Sequence, residues 1–188
     1  MTMKKAPIIA LSIVLSATSL FAQPVSPQLF SIKAGGTYFY PAEESMKNIY
    51  GNGSGWGGEI NIKLWRFIDL WMFGNSFEKA GSLPYTREPT KISLITYGGG
   101  IKFRFTAGRL SFYLGGGPAA CYYKENNAIG QARGTDPGFV GQLGLYVRII
   151  GGLILDVAAD YASIKAKPKT IEADLGGARA AVRIGYVY

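Results

Sequence analysis

From residue 29 to the end of the chain, apolar and polar side chains alternate with a period of two. Successive side chains of a strand point to opposite faces, so this pattern predicts strands with one oily and one polar side. Eight such segments can be marked: Leu29–Tyr40, Trp56–Trp65, Phe67–Phe77, Ile92–Phe105, Leu110–Tyr123, Gly138–Ile149, Leu153–Ile164 and Leu175–Tyr188. The last is the plainest case. Ala178, Ala180, Val182, Ile184, Tyr186 and Tyr188 make an apolar face, and Arg179 and Arg183 lie on the other. The segments are long for soluble strands, where about five or six residues is usual. They suit a bilayer, which a tilted strand crosses in roughly 9–11 residues.

The connections predict how the strands are joined. Segments 41–55, 78–91, 124–137 and 165–174 carry Gly, Pro and charged residues and read as loops. Between them stand short joints at Arg66, at Thr106–Arg109 and at Gly151–Gly152. Alternation of long and short connections is what an up-and-down barrel in an outer membrane needs, with short turns on one side and longer loops on the other. No later apolar run approaches eighteen residues, so helical spans are not expected. The reading is an all-β, eight-stranded antiparallel transmembrane barrel.

The N-terminus adds a different element. MTMKK is positive, Ala6 to Ser19 is apolar, and Leu20-Phe21-Ala22 offers a small residue for cleavage. This predicts a secretory signal peptide over 1–22 and a barrel domain over 23–188. Position 23 is Gln, so lipoprotein anchoring is not expected. Loss of Lys4 and Lys5 lowers the formal charge from +8 to +6. The basic residues are spread along the strands with no basic stripe, and an exported chain meets no nucleic acid, so nucleic acid is not an expected partner. The single cysteine, Cys121, cannot pair within the chain and reads as a small buried side chain.

In a membrane barrel the polar face turns inward. The expected lumen charge network is Lys33, Glu59, Lys63, Asp69, Lys102, Arg104, Arg148, Asp156, Asp160, Arg179 and Arg183, joined by Asn61, Thr96, Gln142 and Tyr146. The third segment is ambiguous, because Asp69, Trp71, Phe73 and Asn75 oppose Ile68, Leu70 and Met72. Turning Asp69 inward takes Trp71 in as well. Buried charges need partners. Asp156 and Asp160 share the i, i+4 spacing of Arg179 and Arg183 on the next strand, and Lys33 lies on the strand beside Glu59. The network can be a charged channel lining or a packed filling. Eight strands leave room for little more than side chains, which favours filling.

Aromatics fall at the segment ends. Tyr38, Tyr40, Trp56 and Tyr122, with Tyr123, lie toward the loops. Trp65, Phe103, Phe105, Tyr186 and Tyr188, with Phe30 and Phe67, lie toward the turns. Two belts bracketing an apolar band match the two interfaces of a bilayer.

The leader, the alternating connections and the closing run Val182-Arg183-Ile184-Gly185-Tyr186-Val187-Tyr188 together resemble the small eight-stranded outer-membrane barrels of Gram-negative bacteria, the OmpA-barrel and OmpX-like families. The run is similar to the aromatic-ended strand read by the barrel-assembly machinery, although Tyr188 stands where Phe is usual. No appended peptidoglycan-binding domain is expected. The resemblance implies an outer-membrane location, contact with outer-membrane lipid and lipopolysaccharide, assembly through the C-terminal strand, and a monomer. Some barrels of this size modify lipid A through a histidine-dependent site. This chain has no histidine, so that chemistry lacks its base. No catalytic residue, cofactor or metal is expected. Lys165, Lys167 and Lys169 are the candidates for anionic headgroups. The expected function is a non-enzymatic structural or surface-interaction role. The alternatives are a small channel for ions or hydrophobic solutes, and a soluble lipocalin-type barrel with an apolar interior.

Overall fold

A computed structural model describes residues 29–83, 87–127, 130–166 and 173–188. The expected signal peptide, Lys167 and Lys169 lie outside them. Eight antiparallel strands close into a barrel. They are β1 (Phe30–Pro41), β2 (Gly53–Lys63), β3 (Ile68–Ser82), β4 (Pro89–Ala107), β5 (Leu110–Asn127), β6 (Gly130–Ile150), β7 (Leu153–Ala166) and β8 (Gly177–Val187). Each strand pairs with its neighbours in sequence, and β8 pairs with β1 from Ser31↔Val187 to Pro41↔Gly177. Closure leaves no free edge across the span, which is the only way a sheet satisfies its backbone groups in lipid.

β3 to β6 are longer than the sequence pattern predicts, and the loops 78–91 and 124–137 are correspondingly shorter. β3, β4, β5 and β6 run for 15, 19, 18 and 21 residues, against 12 and 11 for β1 and β2. Most of the expected loops 78–91 and 124–137 is therefore strand. Pairing continues to Ser82↔Pro89 in one hairpin and Asn127↔Gly130 in the other. Beyond the bilayer neither face needs to be oily, so the alternation fades while the backbone ladder continues. The result is a four-stranded wall that rises above the rest of the barrel.

The expected loop 41–55 also holds structure. A seven-residue helix, α1 (Glu44–Tyr50), buries Met46 and Tyr50 in the mouth of the barrel. Gly51 ends it with φ 67, and its N–H donates to the Lys47 carbonyl. That left-handed conformation suits glycine. In the expected loop 165–174, Lys165 and Ala166 pair with Asp174 and Ala173.

The interior is not polar throughout, as the face assignment predicted. Its loop-side half is an apolar core of Phe39, Met46, Tyr50, Phe77, Ile92, Leu94, Cys121, Tyr123, Ile164 and Leu175. Tyr123 therefore points inward and does not belong to the upper belt. Above the bilayer the projecting wall folds like a soluble domain, with its oily side chains turned in and away from water. Trp71 and Phe73 also face inward, stacked at 5.0 Å, while Leu70 and Met72 face out.

Candidate functional site

The turn-side half of the interior is a layer of charge built by β1, β2, β4, β7 and β8. At its centre Glu59 receives three cations. Its Oε1 lies 2.7 Å from Lys33 Nζ and 2.5 Å from Lys102 Nζ, and its Oε2 lies 3.0 Å from Arg183 Nη1. Asp156 is the second anion. It accepts from Lys33 Nζ at 3.0 Å, from Arg183 Nε at 2.8 Å and from the Tyr113 hydroxyl at 2.8 Å. Lys102 also donates to Asn61 Oδ1 at 3.0 Å, and Asn61 donates to Ser31 Oγ at 3.1 Å. All these side chains are buried.

The register makes this possible. Lys33 sits opposite Glu59 and beside Gly185, and Arg183 sits opposite Asp156. Opposed residues of an antiparallel pair project to the same face at short range, so charges spaced along adjacent strands meet. Two flanking pairs extend the layer. Arg104 binds Asp69 at 3.0 Å and donates to the Tyr146 hydroxyl at 2.8 Å. Arg179 lies 3.4 Å from Asp160, donates to Thr96 Oγ1 at 2.7 Å, and covers the Phe39 ring. Gln142 is buried beside this group. Lys63 and Arg148 are half-buried at the turn end, with Lys63 directly opposite Asp69.

Aromatic rings seal the charges. Lys102 Nζ lies 4.5 Å from the Trp71 ring and 4.3 Å from the Tyr113 ring, and Lys33 Nζ lies 4.6 Å from Tyr113. Tyr113 was not among the expected lumen residues, although it alternates with the outward Phe112 and Leu114. It needs room, which Gly144 on β6 supplies: a Cβ there would meet the Tyr113 hydroxyl at 2.5 Å. Lys33, Lys102, Arg104, Arg179 and Arg183 are thus each held by a carboxylate, with ring faces over Lys33, Lys102 and Arg179. Such a layer can brace the wall and fill the lumen. Among the described residues no three of His, Cys, Asp and Glu converge to hold a metal ion.

Above the charge layer and the apolar core, α1 forms a lid. The Tyr50 hydroxyl donates to Glu125 Oε1 at 2.8 Å and shares a 2.9 Å hydrogen bond with Thr90. Burial raises the Tyr50 phenol above its ordinary range. Glu43, just before the helix, accepts from the Asp174 N–H at 3.2 Å. The lid was missed because a seven-residue helix carries too little periodicity to detect.

The outer surface is the reverse of a soluble protein. Ile32, Leu70, Met72, Ile101, Leu114, Leu143, Val157, Val182 and Ile184 all face outward and exposed. Such a continuous oily surface is solvated by lipid. It excludes the lipocalin-type arrangement. Tyr38, Tyr40 and Trp56 are exposed toward the loop end, and Tyr122 is half-buried there. Trp65, Phe103, Phe105, Tyr186 and Tyr188 are exposed toward the turns, where Tyr186 and Tyr188 lie 4.6 Å apart. Lys165 is exposed on β7.

No family model and no curated protein sequence matches the chain. Solved structures do. The chain is similar to Ail, the attachment invasion locus protein of Yersinia pestis, in complex with the heparin analogue sucrose octasulfate. That match has 13% identity and a TM-score of 0.60, over 87% of this chain and 100% of that one. It is similar to Neisserial surface protein A at 13% identity and a TM-score of 0.59, over 85% and 97%. It is similar to the N-terminal β-barrel domain of Pseudomonas aeruginosa OprF at 13% identity and a TM-score of 0.55, over 87% and 100%. At these identities the likeness speaks for a shared fold, the small eight-stranded barrel of outer membranes.

Proposed function

We propose that the chain is an outer-membrane barrel whose role is structural and interactive, with no channel and no enzymatic activity. The observation that carries this reading is the filled interior. Three layers stand in series: buried ion pairs in the turn-side half, packed aromatic and aliphatic side chains above them, and α1 across the mouth. Ion conduction needs a hydrated path, and a side-chain-filled eight-stranded barrel offers little room for one. The test is purified protein in planar bilayers. Silence is the expected result, and stable unitary conductance would establish the channel instead.

The remaining parts follow from placement in the cell. Residues 1–22 direct export and are removed. The aromatic-ended β8 presents the chain to the barrel-assembly machinery. The barrel works as a monomer, and its outward surface meets lipid and lipopolysaccharide. The projecting wall of β3 to β6, with the charged strand ends it carries, is the surface offered to external partners. Ail, of like fold, was solved with a sulfated saccharide analogue, which supports polyanion contact as one use for such a surface. Lys165, Lys167 and Lys169 remain the candidates of the last loop.

A further inference from the structure

Lys124 on β5 and Arg133 on β6 are directly opposed in the ladder. Both are exposed on the outer face. Like charges placed directly opposite each other across an antiparallel pair are unfavourable. The fold does not offset this one. Among the described residues neither side chain has a carboxylate partner. The nearby Glu78 is taken by Lys91, and Glu125 turns inward to Tyr50. The neighbour of Lys124 on the other side is Ser93. An outward pair of cations without an acid is a pair that awaits an anion.

Its height says which anion. Along β5 the outward residues run Phe112, Leu114, Gly116, Pro118, Ala120, Tyr122, Lys124. From Phe112 to Tyr122 the strand climbs ten residues, roughly 25 Å at the tilt of a membrane barrel, which is the height of an apolar band. Lys124 is the next outward residue above that band. A cation there stands at headgroup level, on the lipid-facing side of the wall. Arg133, its ladder partner, stands beside it, and Arg binds phosphate bidentately through its planar guanidinium.

We propose that Lys124 and Arg133 form a clamp for the phosphate group of a glycolipid headgroup in the outer leaflet. The proposal rests on the outer-membrane reading above and moves the anion contact from the last loop to the β5–β6 wall. One phosphate between the two cations turns their repulsion into two attractions.

The test uses the whole chain folded into phosphatidylcholine nanodiscs and titrated with bisphosphorylated lipid A, while backbone amide shifts of residues 122–126 and 131–135 are followed. Saturating shifts at these residues are expected. Each basic group near an anionic leaflet contributes about fivefold, so Lys124→Gln with Arg133→Gln should weaken the apparent affinity about twenty-five-fold. Both positions are exposed, so the variant should keep its heat-shifted gel band. Equal affinity in the double variant overturns the clamp, as does equal binding of dephosphorylated lipid A. Full competition by soluble inorganic phosphate overturns the lipid source. A larger loss on Lys165→Gln than in the double variant returns the site to the last loop and overturns it here. A chain that inserts into none of these bilayers removes the barrel reading and the clamp with it.

Discussion

Arg183 Nη1 and Glu59 Oε2 lie 3.0 Å apart across the barrel interior, although β8 and β2 share no ladder and β1 stands between them. Lys33, on that intervening strand, binds the same Glu59 at 2.7 Å. The bridge therefore ties strands from the two ends of the chain around the one that separates them.

Glu59 is where this tie is most exposed to mutation. Glu59→Gln leaves Lys33, Lys102 and Arg183 converging on a neutral group. Breaking a buried ion pair by removing one partner costs about 3–5 kcal/mol. Urea unfolding in detergent micelles should show a loss of that size. Asp160→Asn should cost less, because Arg179 keeps its 2.7 Å hydrogen bond to Thr96. A Glu59 variant as stable as the parent would mean that the network fills space without bracing the wall.

Two sets of glycines should respond differently to alanine. At Gly100 a Cβ would meet the Gly116 carbonyl oxygen at 2.1 Å, and at Gly117 it would meet the Gly99 carbonyl oxygen at 2.2 Å. These are backbone atoms of the β4–β5 seam and cannot swing aside. Gly100→Ala or Gly117→Ala should destabilise by about 1–3 kcal/mol or more. Gly36 and Gly74 have open space where a Cβ would sit, and alanine there should be tolerated. The heat-dependent gel shift during refolding separates the two sets.

The lid can be loosened on its own. Tyr50→Phe deletes the hydroxyl that bonds Glu125 and Thr90. A buried hydrogen bond to a charged group contributes about 1.5–3 kcal/mol. Hydrogen exchange of the Glu44–Tyr50 amides should accelerate by more than about tenfold, with the midspan amides of β1 and β8 unchanged. Acceleration across the whole barrel would show that the helix is integral to closure and not a separate lid.

Cys121 is fully buried in the loop-side core, with Thr96 Oγ1 3.7 Å from its sulfur. It is the only cysteine of the chain. Maleimide should leave the folded barrel unlabelled and react once heat unfolds it. Labelling of the folded form at the unfolded rate would contradict the packed interior.

The sequence by itself determined the strand count, the inward and outward faces across the bilayer, and the long strand that closes the barrel. Lipid imposes these features locally: each spanning residue must be oily if it faces out, and the period of two makes that visible one strand at a time. β3 stayed ambiguous, because Asp69 and Asn75 share a face with Trp71 and Phe73, and only the fold turns that face inward. What the sequence could not determine lies where that constraint ends. Above the bilayer Glu78, Lys91, Lys124 and Arg133 read as loop residues, and only the ladder shows them on strands. Phe39, Phe77 and Leu94 turn inward because neighbouring strands bring them together beneath α1, which no local pattern records. The threefold convergence on Glu59 is likewise tertiary. Alternation places a charge in the lumen, but register and the narrowness of eight strands decide which charges meet.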